Sequence, residues 1–489
     1  MNNLCKILYS FAFILLAHFV SAQSAFTIEE IIERAKGNSP FAKREETRKE
    51  NRYWQYRYFR TNYNPQLRLE GTLPVYYKSV EQFPVNGTYQ YFPVEQTNNN
   101  VRLGLVQPIQ WTGGEISANT RLGYFKDYRA ENPALAEQWS GTIMNVAISQ
   151  PLFAFNRLRW DKRTEPLRYE ESKRDYVEQM EFISREAVDR FFNVLQSQVS
   201  LQIAQFNLAN NDTIYKIEDG RYNIGTTSKD KLLQVELQLL RSRQASAQAA
   251  LDLETARLQL RSFIGINDSE LFQLLLPEII PQFEISIDEA LAQAKKNRAA
   301  FIAFERRRIE ANREVAQARG QRFQTTVTAA YGLNNNGFAM GDIYQDPTQQ
   351  QQFNVSFSIP VLDWGRNKSL MRTALANKKL NDYILAQDEA TFEQEIMTQV
   401  RQFEMLRLQI EITKKSDQVA AERYNVAQNR YLIGKIDITN LNIALTEKDD
   451  AKRSYIQALK SFWTAYFDLR RLTLYDFSSK ELLYKPDEK

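Results

Sequence analysis

The chain carries one thiol and one imidazole, Cys5 and His18. Both fall in a segment with the three-part pattern of a secretory leader: the positive Lys6, an apolar run from Ile7 to Val20, then the small pair Ser21-Ala22. Cleavage is expected after Ala22. The apolar run is shorter than the roughly 20 residues that a spanning helix needs, although an uncleaved anchor is the alternative. Cys5 precedes the apolar run, whereas a lipoprotein needs its cysteine after it, so no lipid anchor is expected. Without the leader the chain has no Cys and no His. Nucleophilic triads, disulfides and histidine or cysteine metal sites are then excluded by composition, and neither metal nor cofactor is expected. Carboxylates are the chemistry that remains. Their pairs fall at helix spacing among Lys and Arg, the pattern of a solvated helix face, so an enzyme is not expected. The run Arg306-Arg307-Arg308 reads the same way.

Net charge is small, 63 basic against 59 acidic side chains, which is no nucleic-acid footprint. Two carboxylates have a distinctive setting: Asp230 follows the turn at Gly225, and Asp437 follows the turn at Gly434. Those turns belong to an internal repeat. Val146 to Phe263 aligns with Val355 to Leu472 at a constant offset of 209 positions, and Ile28, Ala35, Lys36 and Asn38 match Ile287, Ala294, Lys295 and Asn297 at an offset of 259. Pro151 falls on Pro360, Arg221-Tyr222 on Arg430-Tyr431, and Gly225 on Gly434. The first half therefore carries about 50 extra residues ahead of its long helix.

Each half reads as helix, strands, long helix, turn, helix. The first helix spans about 27–61, weakened at Gly37 and Pro40. Long Gly-poor and Pro-poor stretches run from about Lys173 to Asp219 and from about Lys368 onward. Sixty such residues would reach about 90 Å. Apolar residues recur every three or four positions, as in Ala187, Phe191, Val194 and Leu201, but Gln198 and Arg407 interrupt the seams. Such a mixed seam suits helices with neighbours on some sides and water on others. An ordinary long hairpin explains it equally well.

Between the helices the period changes from 3.6 to 2. Gln66 to Leu73 and Phe353 to Ile359 alternate apolar and polar residues; Thr326 to Tyr331 and Asn145 to Ser149 do so more weakly. Within the surplus, Val101 to Leu105 and Ile116 to Tyr124 flank a Thr112-Gly113-Gly114 turn. Tyr76, Tyr77, Trp139, Phe153, Phe155, Phe323 and Trp364 cluster at the ends, as in an interfacial girdle. A soluble sheet with one face on a core gives the same alternation. Asn86-Gly87-Thr88 reads as a loop turn. A handful of strands cannot close a barrel, and lipid does not tolerate open edges, so a membrane reading requires an oligomer.

Taken together, the repeat, Pro151 and Pro360, the two Arg-Tyr-x-x-Gly turns and the stretch Ala421 to Ala444 resemble the TolC family of outer-membrane efflux proteins. The resemblance implies a mainly α fold with membrane β-barrel strands: a long α-helical periplasmic tube and an outer-membrane barrel shared by a homotrimer, four strands per chain. The expected divisions are a leader (1–22), repeat half one (23–275, with its extra hairpin at about 76–140), half two (276–476) and a tail (477–489). The extra hairpin could widen the barrel or stand outside it. The expected activity is that of a passive duct for efflux or secretion in the outer membrane, docked to a periplasmic adaptor and an inner-membrane transporter. Adaptor docking would use the tip turns, Tyr222, Ile224, Gly225 and Thr226 with Tyr431, Ile433, Gly434 and Lys435. Family members carry a pair of Asp beyond the second turn; about Asn440 and Ile443 stand there in this chain, leaving Asp230, Asp437 and Asn440 as the candidate gate. Pro151 and Pro360 would bend the chain between barrel and tube. The alternative is a periplasmic helical scaffold without channel activity.

Overall fold

A computed structural model describes residues 24–132, 135–265, 272–277 and 279–485. The expected leader lies outside the described residues. Every helix of the first half recurs in the second at the same length. Helices α1 (Ile28–Asn38), α2 (Pro40–Thr61), α3 (Arg157–Asn223) and α4 (Lys229–Ile264) are matched by α5 (Ile287–Asn297), α6 (Ala299–Gly320), α7 (Arg366–Leu432) and α8 (Ile438–Thr473). The surplus lies between α2 and α3, as the change in offset requires.

Local chemistry sets the boundaries. Thr27 caps α1 in a reciprocal box with Glu30, and Ser286 caps α5 through the Glu289 amide. The first helix is broken at Ser39 rather than weakened, and Pro40 opens α2, where a missing amide costs nothing. Helix α3 starts well before the expected Lys173, because Pro166 sits inside it without ending it.

The chain divides into two compact units, each containing pieces of both halves. One holds the described residues up to Lys49, Lys173–Phe301 and those from Ala390 onward. Its core is built from Phe191 and Phe192 of α3, Phe403 of α7 and Leu459 and Phe462 of α8. The two seam interruptions have partners there. The Gln198 side chain accepts from the Leu274 amide at 3.1 Å and donates to its carbonyl at 3.3 Å, holding β7 (Phe272–Leu274), which pairs in parallel with β1 (Ser24–Phe26). Arg407 lies over the rings of Phe283 and Phe403 and donates to the Phe283 carbonyl. Both polar side chains anchor the connector between the halves.

The other unit, Glu50–Ser172 with Ile302–Glu389, holds an antiparallel sheet. Its strands are β2 (Gln66–Thr72), β3 (Tyr76–Val85), β4 (Thr88–Pro108), β5 (Glu115–Asp127), β6 (Glu137–Leu152), β8 (Gln324–Gly337) and β9 (Thr348–Ser358). The order is β2-β4-β5-β6-β8-β9. Strand β3 pairs with the first part of β4, and Asn86-Gly87 makes their turn with φ of 50° and 81°, the mirror-type hairpin turn. Six strands therefore stand abreast rather than four. The surplus does two things: its middle builds β4 and β5 into the sheet, and its first part adds a two-stranded ribbon. In this unit the arginine run is paired rather than merely solvated: Arg306 meets Glu171 at 2.6 Å, Arg307 meets Asp388 at 3.2 Å, and Arg308 meets Glu389.

Candidate functional site

Two surfaces have the features expected of a functional site, one in each unit. The first is the end of the helical hairpins. Helix α3 closes with Gly225 at φ 76°, the Thr226 amide donating to the Arg221 carbonyl and the Gly225 amide to Tyr222. Helix α7 closes identically: Gly434 at φ 74°, Lys435 to Arg430, Gly434 to Tyr431. This double bond pattern needs a left-handed residue, and glycine takes it without strain. Tyr222, Ile224 and Ile433 are exposed, Ile224 by 74%.

The two turns are alike in backbone and unlike in side chains. Tyr222 faces solvent, whereas its counterpart Tyr431 is buried and donates its hydroxyl to Glu218 at 2.8 Å. Arg221 donates to the same carboxylate at 2.6 Å. Burial alone would raise the Glu218 carboxyl; the bonds from Tyr431, Arg221 and Thr227 outweigh it and hold it below its ordinary value. This contact therefore contributes stability above the ordinary carboxylate range and loses it as pH falls through the lowered value. Ile214, Val235, Leu441 and Leu445 pack around it. The Glu218–Tyr431 link joins residues 213 positions apart, and no local pattern announces it.

The candidate gate residues are not equivalent to one another. Asp437 is the N-cap of α8; its carboxylate accepts the Asn440 amide at 2.9 Å and the Asn440 side chain at 2.8 Å. Its counterpart across the repeat is Ser228, the N-cap of α4. Asp230 lies exposed in the first turn of α4, and its counterpart is Thr439.

The second surface is the sheet. Its registers place Leu67 beside Leu105, Leu105 beside Ala118, Ala118 beside Val146 and Val146 beside Tyr331. Ile116 stands beside Ile148, Ile148 beside Ala329, and Ala329 beside Phe353. One face is thus apolar from edge to edge. The opposite face carries Arg68, Gly104, Asn119, Asn145, Gly332 and Gln350 along a single ladder. Phe153 is 85% exposed just past β6, and Trp364 is 90% exposed just before α7. Tyr124 and Trp139 pair near the far ends of β5 and β6, ring centroids 4.8 Å apart. Phe155 departs from the expected girdle: Arg313 lies over its ring and its backbone packs on Gly320. Pro151 lies within β6 rather than ending it. It pairs with Thr326, one step beyond Gln150, where the β5 side of the strand has no further partner, so its missing amide costs no ladder bond. Pro360 does follow the end of β9.

Among the described residues, no helix is long and apolar enough to cross a membrane. None of their acidic groups clusters to hold a metal ion.

The family model described as "Outer membrane efflux protein" matches residues 126–266 and 286–473. Curated protein sequences give no significant match. Among solved structures, the chain is similar to the Campylobacter jejuni CmeC outer membrane channel, with 16% identity, a TM-score of 0.67, and 94% of this chain and 87% of that one covered. It is similar to the outer membrane protein VceC of Vibrio cholerae (14% identity, TM-score 0.63, coverage 91% and 95%). The Neisseria gonorrhoeae MtrE outer membrane channel is a third (17%, 0.61, 91% and 88%).

Proposed function

The chain belongs to the outer membrane efflux protein family, and from that premise we propose that it is the subunit of a trimeric exit duct for efflux or secretion. Its helical unit works in the periplasm with an adaptor and an inner-membrane transporter. The observation that carries this reading is the sheet: one face apolar across every strand, the other polar, and both edges unpaired among the described residues. In water such a surface would invite aggregation. In lipid the apolar face is solvated, but the edges must close on something. With six alternating strands, β2 and β9 run in opposite directions, so copies meeting edge to edge around an axis continue the antiparallel order. Six strands are fewer than the eight of the smallest such barrels, so one chain cannot close alone. Planar-bilayer recording tests the reading: stable ion-conducting steps support a duct, whereas protein that washes off the outer membrane and never conducts supports a scaffold.

We further assign adaptor docking to the tip turns. Gly434→Val should strain the left-handed cap, at about 1–2 kcal/mol, without a steric clash, since a Cβ there meets nothing within 4 Å. Adaptor crosslinking and efflux complementation should fall at an unchanged trimer level. Intact crosslinking and efflux would reduce the turn to a cap.

The gate assignment rests on Asp230 and Asp437, with Asn440 fixing the Asp437 carboxylate. Asp230→Asn with Asp437→Asn removes both charges while keeping a residue that can cap α8. The reversal potential across a salt gradient should move toward anions. No movement would put the constriction elsewhere.

A further inference from the structure

The surplus of the first half is part of the channel wall. We infer that β4 and β5 are barrel strands in their own right. Resting on the trimeric reading above, three chains then close a barrel of eighteen strands rather than twelve, and the insert brings a directly opposed pair of arginines to its lumen.

Three observations carry this. First, the insert is central to the sheet. Strands β2 and β6 have no pairing with each other; β4 and β5 lie between them, registered from Gln96↔Asp127 to Pro108↔Glu115 and from Glu115↔Ser149 to Lys126↔Glu137. A hairpin folded outside the wall would leave β2 and β6 to pair directly.

Second, the insert shares the two-sided pattern of its neighbours. Val101, Leu103 and Leu105 on β4, and Ile116, Ala118 and Leu122 on β5, fall on the apolar face, with Ala118 level with Val146 and Ile116 level with Ile148 of β6. The apolar band also climbs across the sheet. Arg68, between Leu67 and Leu69 of β2, is level with Gln350 of β9, whereas the apolar run of β9 centres on Val355. That is about five residues, or roughly 17 Å, over five interstrand steps of roughly 24 Å, a slope of roughly 35°. Closed barrels tilt their strands by about 35–45°.

Third, the polar face of the insert is charged. Arg102 stands directly opposite Arg121, with Glu70 on the other side of Arg102. Like charges set opposite each other are unfavourable unless water or anions lie over them. A lumen supplies both.

Barrel diameter grows roughly linearly with strand number, so eighteen strands give about 1.5 times the diameter of twelve. The strand count lies within the known range of outer-membrane barrels. On β2, β4 and β5 of each chain, Arg68, Arg102 and Arg121 are matched in number by Glu70, Glu115 and Asp127 on the same face, so the wall carries both signs of charge without an excess of either.

Cysteine scanning tests this on the full-length protein in lipid, since the only native cysteine is Cys5. A charged, membrane-impermeant thiol reagent should label Arg102→Cys and Arg121→Cys at least about tenfold faster than Leu103→Cys and Leu122→Cys, and labelling should step down the single-channel current. Electron cryo-microscopy of the same particles should show eighteen strands. Equal labelling of all four positions in conducting trimers, or a twelve-stranded wall, overturns the insert's role while leaving the duct intact. Particles that neither trimerise nor conduct would refute the duct reading itself, and this inference with it.

Discussion

Val355→Arg should nearly abolish assembly in the outer membrane, while Ser356→Arg, one residue further, should leave it close to normal. The two side chains point to opposite faces of β9, a strand exposed along its whole length. Val355 sits beside Val327 at the centre of the strand's apolar run, between Phe353 and Phe357. A charge near the middle of a lipid-facing surface costs about 2–4 kcal/mol in a transmembrane barrel, and the proposed trimer would incur it three times. Ser356 belongs with Asn354 and Gln352 on the polar face, where an arginine remains hydrated. The measurement is the yield of heat-resistant oligomer in the outer-membrane fraction. Similar yields for the two variants would mean that the apolar face is covered by protein and not by lipid.

Arg470→Met should produce the largest loss within the helical unit. The Arg470 guanidinium donates to Glu181 at 2.8 Å and to Asp476 at 2.9 Å. The Glu181 side chain is only 3% exposed, and Lys36 is its other cation, at 2.7 Å. Asp476 also accepts the Tyr466 hydroxyl at 2.9 Å. Removing the shared cation leaves two carboxylates short of compensation, at a cost of about 3–5 kcal/mol. Hydrogen exchange at the end of α8 should accelerate accordingly. Arg470→Met combined with Glu181→Gln should recover part of the loss, because the second change removes the stranded charge. A double variant as weak as the sum of the single ones would show that the pair is not coupled.

The architecture was legible where a period encodes it. The offsets of 209 and 259 placed every helix of one half on a helix of the other, and the alternation of Phe353 to Ile359 marked the strand that became β9. Extent was less legible than existence. The early start of α3 was hidden by Pro166, because proline ordinarily ends a helix and only the surrounding packing can override it. Strand β4 spans Thr88–Pro108, yet only Val101 to Leu105 alternates cleanly, since the part paired with β3 continues the ladder through Tyr89, Tyr91 and Phe92 without a polar face. The strand count followed from pairing partners, which one-dimensional patterning does not contain. At the tip, the glycines at 225 and 434 announced the turns. That Asp437 is a cap, and that Tyr431 reaches Glu218, depend on contacts made only after folding.

The trimeric, barrel-forming subunit is tested most directly by native mass spectrometry of the detergent-extracted full-length protein. The expected result is three times the mass of one chain, with helical content intact. A monomer or dimer that keeps its helices would contradict it, because the two edges of the six-stranded sheet would then not be closing a three-chain wall.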